Sequence, residues 1–384
     1  MASQLVPNLE ELQAEADSLG FFLLGAANLD PLEHFSNYQA WLTRGLHAGM
    51  DYLARPDVVE KRARPQWILP EARSIISLGL SYPPALTAPP KPSPTFGRVA
   101  SYAWGEDYHH VIPPLLEKLI STLEKRIGRT IHWRGYTDSG PILERELAHR
   151  AGLGWFGKNS CLIHPLRGSF FLLAEIFIDI DLPTSQTLVT DHCGNCRRCI
   201  EACPTGCILP DRTVDARRCI SYHTIENRAG IPPEIQPLLG DWVFGCDICQ
   251  MVCPWNLRFA RNLPTSLLLV HQENAWVDLV TEIRMTPDEF KQRYATRSLS
   301  RPKYAGWLRN CLVAAGNSAS DDLIAPLANV LLEGPLPILR LTAAHSLQRL
   351  GGRQARQHLL KAASLEPVEE VKVEIDRLLQ NSSG

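Results

Sequence analysis

The hydrophobic pattern of the first 185 residues predicts helices and strands in alternation. An amphipathic segment runs to about Ser18, and Asn8 can cap this helix while Gly20 can end it. Short apolar runs predict four strands, at 21–27, 72–82, 131–136 and 168–182, the last as one long strand or a hairpin. The pattern therefore predicts a mixed α/β domain over residues 1–185.

Two further helices are predicted in this region. Residues 109–127 place apolar side chains at helical spacing. Residues 141–152 predict a helix that carries Pro141 in its first turn. Asp138, in the sequence YTDSGP, comes just before this helix. A carboxylate in this position can cap the helix, or it can donate a proton in a pocket if burial raises its pKa.

The last part of the chain has helical patterns from about residue 305. Predicted helices cover 307–317, 321–334, 337–352 and 368–379, with short breaks at Gly, Pro or Asn. This succession resembles a small HEAT-like helical repeat, although a plain helical bundle would give the same pattern. The segment 186–262, before it, has many turns and few long apolar runs, which favours a module organised by bound metal as much as by a core.

Composition and charge narrow the class of protein. Of the 384 residues, 45% are hydrophobic and 21% are charged, which is ordinary for a globular protein. The formal net charge is −2, so a nucleic-acid site would have to be a local basic patch. No apolar run reaches the roughly eighteen residues of a membrane span, and the N-terminus carries no export signal. We therefore expect a cytoplasmic protein that is not bound to a membrane.

Seven of the eleven cysteines form two runs with the spacing of iron–sulfur ligands. The first has the bacterial ferredoxin spacing C-x2-C-x2-C-x3-C and consists of Cys193, Cys196, Cys199 and Cys203. The second has the spacing C-x2-C-x3-C and consists of Cys246, Cys249 and Cys253. A proline follows each run. Val243 stands where the second run lacks its first cysteine, and Cys219, between the runs, is the natural substitute.

Eight thiolates are enough for two [4Fe–4S] clusters. In two-cluster ferredoxins the cysteine before the proline ligates the other cluster. This rule predicts two ligand sets, Cys193, Cys196, Cys199 and Cys253 for one cluster and Cys203, Cys219, Cys246 and Cys249 for the other. Cys207 is an alternative to Cys219, although we expect it to point away from the cluster. Zinc is the competing interpretation of such runs, and the C-x3-C-P endings argue against it.

Two patterns in the first domain resemble binding motifs but lack their context. Residues 152–159 match G-x-G-x-x-G, but they follow a helix, whereas a nucleotide-binding loop follows a strand and opens a helix. Asp107-x-His109 begins the D-x-H-x-x-G signature of domains that bind cobalamin through a histidine on cobalt. Ile112 takes the place of the required glycine, so that mode of binding is not supported.

A basic stretch between residues 291 and 309 is a candidate for nucleic-acid binding. It has six basic side chains and no carboxylate: Lys291, Arg293, Arg297, Arg301, Lys303 and Arg309. Positive charge favours contact with phosphates, and the interleaved Tyr294, Tyr304 and Trp307 could stack on unpaired bases. A solvated helix face is the alternative interpretation.

Seven segments, in this order along the chain, resemble the epoxyqueuosine reductase family. They are RARPQWILPEARSII (62–76), SYAWGEDYH (101–109), TDSGPILER (137–145), AGLGWFGKN (151–159), CGNCRRCIEACPTGCI (193–208), CISYHTIE (219–226) and FGCDICQMVCPWN (244–256). The resemblance extends from about residue 8 to about residue 350. Ferredoxins and reductive dehalogenases share the cysteine runs but not this combination of segments.

The resemblance implies a cobalamin-dependent enzyme with two [4Fe–4S] clusters. Members of the family reduce epoxyqueuosine to queuosine at the wobble position of tRNA, the last step of queuosine biosynthesis. Asp138 matches the proton-donating aspartate of the family, whose cobalamin has no histidine on cobalt. The resemblance further assigns cofactor contacts to Arg62, Tyr102, Asp138, Asn159, Ser160, Ser169 and Ser221.

We therefore expect an α+β multidomain protein. The predicted domains are a cobalamin-binding catalytic domain at 1–185, a ferredoxin-like two-cluster module at 186–262, and a linker with a HEAT-like tRNA-binding domain at 263–384. The expected partners are the tRNA anticodon stem-loop and a low-potential electron donor such as a flavodoxin or ferredoxin, and we expect a monomer. The rival interpretations are a reductive dehalogenase, a plain two-cluster electron carrier, and a tRNA-binding protein with structural clusters.

Overall fold

The structure is a computed structural model that describes residues 8–185, 190–264 and 270–381. It contains many helices and many strands, so the predicted α+β fold class is confirmed. The chain divides into two compact units. The first consists of the described residues of Met1–Thr87, Gly105–Ala216 and Ile248–Val270, and the second of those of Ala88–Trp104, Arg217–Asp247 and His271–Gly384. The predicted module at 186–262 begins outside the described residues and contributes to both units; the division into three domains stays a prediction.

Helices and strands are named in chain order. The helices are α1 (Leu9–Ser18), α2 (Phe35–Thr43), α3 (Pro56–Ala63), α4 (Tyr108–Ile127), α5 (Glu144–Arg150), α6 (Arg198–Ala202), α7 (Ile220–Ile225), α8 (Ile248–Met251), α9 (Pro254–Phe259), α10 (Leu279–Arg284), α11 (Pro287–Tyr294), α12 (Lys303–Gly316), α13 (Ile324–Glu333), α14 (Pro337–Leu350), α15 (Gly352–Leu365) and α16 (Glu369–Asn381). The strands are β1 (Phe21–Ala27), β2 (Ser74–Ser81), β3 (Phe96–Val99), β4 (Trp133–Tyr136), β5 (Trp155–Phe156), β6 (Leu162–Ile163), β7 (Phe171–Ile178), β8 (Trp242–Phe244) and β9 (Trp276–Asp278).

A four-stranded antiparallel sheet forms the centre of the first unit, in the order β1-β2-β7-β4. β2 pairs on both sides, and all eight of its residues are buried. Because both faces of this strand are covered, its apolar residues do not alternate with exposed polar ones, and its three serines are buried as well. Ser77 of β2 pairs with Glu175 of β7, so a carboxyl group lies at the buried centre of the sheet.

The first helix forms as the sequence predicts. The Asn8 side chain accepts from the Glu11 N–H at 2.8 Å, and the Glu11 carboxylate accepts from the Asn8 N–H at 3.2 Å. This reciprocal capping box satisfies two backbone donors at the helix start. α1 packs against β1, and Glu11 also pairs with Arg126 near the end of α4.

Helix α5 covers one face of the sheet. Ala151, directly after α5, packs with Leu23 of β1 in one buried cluster, and Leu147 packs with Phe177 of β7 in another. Gly25 permits the close approach of β1 to this region, since a Cβ at that position would lie 1.9 Å from the Ala151 carbonyl oxygen. The sheet and α5 are therefore held in a fixed relation by backbone contact as well as by apolar packing.

Two predictions around α5 need correction. The helix predicted over 141–152 begins at Glu144, so Pro141 lies before it and not in its first turn. Residues 137–142 form a bend, in which Asp138 adopts a left-handed backbone with φ of 56°. The glycine-containing run after α5 forms the β5–β6 hairpin, which the sequence analysis did not predict. The predicted strand at 168–182 is the single strand β7.

The second unit combines a three-stranded sheet with the C-terminal helices. The strand order is β8-β3-β9, with β3 parallel to β8 and antiparallel to β9. α12 packs against β8, α10 and α14, and its eleven residues from Gly306 to Gly316 are all buried. A helix that is buried all round is central to its unit.

Helix α15 was not predicted from the sequence. Gly351 and Gly352 both have positive φ angles, of 70° and 81°, and they separate α14 from α15 without ending the helical region. The HEAT-like arrangement of these helices stays a prediction. Among the described helices, none is long and apolar enough to cross a membrane.

We predict that Gly25→Ala destabilises the first unit. The added methyl group would meet the Ala151 carbonyl oxygen at 1.9 Å, so the strand or the helix must shift. Overpacking of this kind costs about 1–3 kcal/mol, or about 2–4 °C in Tm for each kcal/mol in a unit of this size. Thermal unfolding followed by circular dichroism should show the lower Tm. Glu10→Ala, on the exposed face of α1, serves as the control, and an unchanged Tm for Gly25→Ala would contradict the packing argument.

Candidate functional site

The Asp138 carboxylate is held at the bend that precedes α5. Its backbone N–H donates to Glu144 Oε1 at 2.5 Å, and Tyr108 at the start of α4 donates its hydroxyl to Asp138 Oδ2 at 2.7 Å. The left-handed backbone of Asp138 is an uncommon conformation that a non-glycine residue adopts at a cost of about 1–3 kcal/mol. These bonds stabilise it, and the side chain remains 67% exposed, so it can meet a reactant.

His109 lies beside the same carboxylate. Its Nε2 is 3.8 Å from Asp138 Oδ2, and its Nδ1 is 2.8 Å from Asp107 Oδ1. Burial alone would raise the pKa of Asp107, but the hydrogen bonds from His109 outweigh this effect and lower it. An ionised Asp107 therefore orients the imidazole towards Asp138. His109 and Asp107, which resembled an incomplete cobalt-binding signature, lie next to the predicted proton donor.

Two further carboxyl groups lie behind Asp138 in the first unit. Burial and, after it, the negative charge of Asp138 raise the pKa of Glu144 to about 8. Burial also raises the pKa of Glu175 well above its ordinary value, and this fully buried side chain accepts a hydrogen bond from the Ser77 hydroxyl. A group with a pKa near 8 is mostly protonated at neutral pH, so Glu144 carries a proton next to the bend that holds Asp138.

The residues assigned to cobalamin contact include two with unsatisfied polar atoms. Among the described residues, Arg62 Nε and Asn159 Nδ2 are buried and have no hydrogen-bond partner. Arg62 is fixed in place, because its Nη1 donates to the Tyr38 hydroxyl at 3.0 Å and its guanidinium lies over the Tyr38 ring. Cobalamin carries carboxamide groups that accept and donate hydrogen bonds, so these two residues fit such a ligand.

The other assigned contact residues have varied surroundings. Ser160 has a positive φ of 62° and donates its hydroxyl to the Arg212 carbonyl oxygen at 2.5 Å. Ser169 is buried, and its hydroxyl accepts from Asn256 at 3.0 Å, so it supports the surrounding frame. Tyr102 and Ser221 belong to the second unit.

Four thiols that are predicted to share one cluster lie together in the first unit. Burial and, after it, negative charge on Cys193, Cys253 and Cys196 raise the pKa of the Cys199 thiol to about 11. Because such effects fall with distance, all four sulfurs lie near one another. A cubane takes one thiolate per iron, so its ligands surround a cluster and not a single ion. Among the described residues, no three His, Cys, Asp or Glu side chains are placed to hold a single metal ion.

The β5–β6 hairpin and its turn hold the first cysteine loop. Lys158 donates from Nζ to the carbonyl oxygens of Gly194 at 2.6 Å and Cys196 at 3.0 Å. Asp191 accepts from the Cys193 N–H at 2.8 Å. Trp155 and Ile163 of the hairpin pack against Cys253, with Cys193 at the edge of the same cluster. The lysine of the G-x-G-x-x-G-K run therefore binds the cysteine loop, which explains the motif without a nucleotide.

The glycines of this run serve the tight hairpin. A Cβ at Gly154 would lie 2.4 Å from the Ile163 carbonyl oxygen, and a Cβ at Gly157 would lie 2.6 Å from the Asn159 side chain. A hairpin after a helix is not the strand–loop–helix of a nucleotide-binding motif. The glycines are needed where two strands and a side chain approach closely.

The four cysteines of the second predicted ligand set do not all belong to one unit. Cys203 and Cys249 belong to the first unit, and Cys219 and Cys246 to the second. Cys207 Sγ lies 3.4 Å from Cys203 Sγ, and the expectation that Cys207 points away from the cluster stays a prediction. A hydrogen bond from Cys207 lowers the pKa of Cys203 to about 5. The choice between Cys219 and Cys207 as fourth ligand stays a prediction in favour of Cys219.

The basic stretch contains exposed and internal side chains. The exposed ones are Lys291, Arg293, Arg301 and Lys303. Arg293 pairs with the buried Glu282 at 2.9 Å and Arg301 pairs with Glu226 at 2.9 Å, and both guanidiniums still face solvent. Arg297 is half-buried, and its guanidinium reaches the Ala103 and Trp104 carbonyl oxygens at 3.4 Å. The charge that a polyanion can reach is therefore smaller than the sequence suggests.

Arg309 is corrected from a nucleic-acid contact to a structural residue. It is 2% exposed, and it donates to the backbone carbonyl oxygens of His223, Asn227 and Ala229. Burial lowers the pKa of its guanidinium to about 10. A side chain in this position binds the backbone of its own unit and cannot reach a phosphate.

Two of the three interleaved aromatic residues are also internal. Tyr294 is 2% exposed and Trp307 is fully buried, so the expectation that they stack on bases is wrong. Both donate to the buried Glu282 carboxylate, at 3.0 Å and 2.9 Å. Tyr304 is half-buried and donates to the Met285 carbonyl oxygen. Helical spacing places these rings in the core of the second unit.

Comparison with known proteins assigns the chain to a family. Residues 62–139 match the family described as "Epoxyqueuosine reductase QueG, DUF1730", and residues 192–256 match "4Fe-4S double cluster binding domain". The epoxyqueuosine reductase of Burkholderia pseudomallei (strain K96243) is 39% identical over 362 residues, 87% of this chain and 88% of that protein. The chain belongs to the epoxyqueuosine reductase family. The Escherichia coli (strain K12) epoxyqueuosine reductase is 39% identical over 80% of each chain.

Solved structures of epoxyqueuosine reductases share this fold. One contains a tRNA-Tyr epoxyqueuosine-modified stem loop and matches with a TM-score of 0.88 at 29% identity, over 98% of this chain and 99% of that chain. The enzyme from Streptococcus thermophilus matches with a TM-score of 0.86 at 26% identity, over 97% and 98%. The predicted family and its two-cluster iron–sulfur domain are confirmed. The individual site residues stay predictions.

Three residues of the site were missed in the sequence. Tyr108 and Glu144 hold Asp138, and Lys158 holds the first cysteine loop. Each lies inside a segment that resembles the family, next to a residue that was singled out. That these three residues lie close to Asp138 or to the cysteines is visible only in the structure. In the sequence, only their position within the family segments could have pointed to them.

We predict that Arg309→Ala destabilises the second unit and does not act through nucleic-acid affinity. The substitution removes three or more hydrogen bonds and leaves buried carbonyl oxygens without donors. The expected loss is about 3 kcal/mol or more in urea unfolding. Lys291→Ala, an exposed member of the same stretch, should change stability by less than about 0.5 kcal/mol. Wild-type stability in Arg309→Ala would show that this network contributes little.

Proposed function

We propose that this protein reduces epoxyqueuosine to queuosine at the wobble position of tRNA, the last step of queuosine biosynthesis. The observation that carries the proposal is the match, over nearly the whole chain, to an epoxyqueuosine reductase solved with an epoxyqueuosine-modified stem loop. Removal of the epoxide oxygen to leave an alkene takes two electrons and two protons and releases water. The chain must therefore supply a path for electrons and a source of protons at one place.

The cofactors of the enzyme are cobalamin and two [4Fe–4S] clusters. Cobalamin, when bound, supplies the strongly reducing centre that acts on the epoxide, and the clusters pass electrons one at a time. We assign the hydrogen bonds that hold cobalamin first to Arg62 and Asn159, because their buried polar atoms lack partners among the described residues. Ser160, Tyr102 and Ser221 remain further candidates. The clusters are assigned to the eight cysteines predicted from the spacing.

Asp138 is the proton donor in this proposal. Its carboxylate is exposed towards a reactant while Tyr108 and Glu144 fix its position. A positioned general acid contributes about 10²–10⁴ in rate. Glu144 accepts the Asp138 backbone N–H and so fixes the bend, and His109, between Asp107 and Asp138, offers a route for protons from solvent.

The exposed members of the basic stretch are the proposed contacts to the anticodon stem. Lys291, Arg293, Arg301 and Lys303 remain candidates, and Arg297 is a weaker one because it is half-buried. A base that reacts at an enclosed centre must leave the anticodon stack, as other base-modifying enzymes require. Phosphate contacts would hold the stem while the base is extruded.

We place the enzyme in the cytoplasm as a monomer that receives electrons from a low-potential donor such as a flavodoxin or ferredoxin. The support for this placement is chemical. Its substrate is a tRNA, and clusters that accept single electrons suit a donor that gives them singly.

We predict that Asp138→Asn lowers turnover by about 10²–10⁴ while the substrate and cofactor still bind. An amide keeps the size and the hydrogen bonds of the turn but cannot give up a proton at neutral pH. Turnover is measured by mass spectrometry of tRNA nucleosides, and cobalamin binding by visible absorbance. Asp181→Asn, an exposed carboxylate on the surface, is the matched control and should retain activity. Near-normal turnover in Asp138→Asn would remove it as the acid.

We predict that replacing Arg301 and Lys303 together by Ala weakens tRNA binding and flattens its salt dependence. Each phosphate contact that is lost should lower the slope of log K against log salt by about 0.7–0.9. Fluorescence anisotropy with a labelled anticodon stem-loop, at several salt concentrations, measures both quantities. Lys361→Ala, an exposed lysine on α15 outside the basic stretch, is the control. An unchanged affinity and slope would exclude these two residues as contacts.

A further inference from the structure

A shallow groove lies directly beside the cysteine runs in the first unit. It has a volume of about 490 Å³ and is lined by Arg198, Glu201, Ala202, Met251, Val252 and Leu257. Helix α6 (Arg198–Ala202) contains Cys199 and ends directly before Cys203, and Met251 and Val252 lie between Cys249 and Cys253. The floor of the groove is therefore made from the loops that carry the thiols.

The chain segments that form this groove are basic, although the whole chain is slightly acidic, and we call their exposed charged residues the rim. Within 197–203 and 248–262 the charged residues are Arg197, Arg198, Glu201, Arg258 and Arg261, a net charge of +3 from four positive and one negative side chains. All five are exposed, and Glu201 pairs with Arg197 at 3.6 Å. The other three arginines, Arg198, Arg258 and Arg261, are exposed, and Arg198 lines the groove itself.

The centre of the groove is apolar. Met251 and Val252 are half-buried, and Leu257 is 38% exposed. An apolar centre with a charged rim is the composition of a transient protein–protein interface. Flexible methionine side chains adapt to a partner surface, which suits a partner that must bind and leave on each electron transfer.

We propose that this groove is the docking surface for an acidic, low-potential one-electron carrier protein. The inference rests on the proposed function, which requires two electrons for each epoxide. In each encounter the carrier is oxidised by one electron and a cluster is reduced by one, so two encounters complete a turnover. The basic rim attracts an acidic carrier over a distance of about a Debye length and raises the rate of encounter.

The test compares a protein carrier with a small chemical carrier. The variant Arg198→Glu/Arg258→Glu reverses two rim charges, and Lys118→Glu/Arg134→Glu makes the same change in net charge at exposed positions outside these segments. Turnover on epoxyqueuosine-containing tRNA is measured with reduced flavodoxin, with reduced ferredoxin, and with reduced methyl viologen, which needs no docking surface. Iron content and visible absorbance show that each variant holds its clusters.

The rim variant should lose at least tenfold in kcat/KM for the better protein carrier and keep its viologen-driven rate within twofold. The wild-type rate with that carrier should fall as salt is raised, and the variant should lose this dependence. The control variant should behave as wild type in every assay. An equal loss with viologen, a loss of tRNA affinity, or an unchanged rate with the protein carriers would each overturn the proposal.

Two outcomes separate this proposal from the proposed function. Wild-type protein that reduces the epoxide with viologen, but with neither protein carrier, would overturn the docking surface and leave the reductase activity established. Wild-type protein that leaves epoxyqueuosine unchanged under viologen, with its clusters and cobalamin present, would overturn the proposed function itself.

Discussion

The convergence of four thiols in the first unit is the constraint on which the rest of the site depends. Three of them come from one short loop, and Cys253 arrives from a distant part of the chain. No covalent bond brings them together, and both burial and the negative charge of the neighbouring sulfurs raise the pKa of Cys199 and so oppose its ionisation. The β5–β6 hairpin provides this organisation, because Lys158 binds the loop carbonyls while Trp155 packs on Cys253. The cysteine loop that binds the metal cluster is therefore already held in place by the hairpin.

Strain at Asp138 is the second organising feature. The residue keeps a left-handed backbone because Glu144 accepts its N–H and Tyr108 binds its carboxylate. Those partners come from α5 and α4, and α5 is fixed against the sheet by the contact at Gly25. Backbone strain of this kind persists only where surrounding structure determines it. The sheet therefore holds α5 in place, and α5 in turn holds the bend that positions the Asp138 carboxylate.

Much of the local structure could be predicted from the sequence where one interaction dominates. The Asn8 cap, the buried strand β2 and the cysteine spacing each depend on a short-range pattern that tolerates few alternatives. Prediction failed where the outcome depended on tertiary contacts. Pro141 is compatible with a helix start, but the bend that carries Asp138 displaces that start to Glu144.

The same reason explains the errors among the basic and aromatic residues. Sequence shows that Arg309 is charged, but its burial depends on the carbonyl groups that other segments present to it. Tyr294 and Trp307 look like a base-stacking pair in the sequence, and a single buried carboxylate, Glu282, binds both in the core.

Arginine therefore has two opposite uses in this chain, and exposure distinguishes them. Buried Arg309 joins backbone carbonyls, whose dipoles stabilise its charge inside the second unit. Arg198 and Arg258 are exposed, so their charge extends into solvent. A chain with a net charge of −2 can for this reason attract both a polyanionic substrate and an acidic protein, provided that each binds where exposed cations are concentrated.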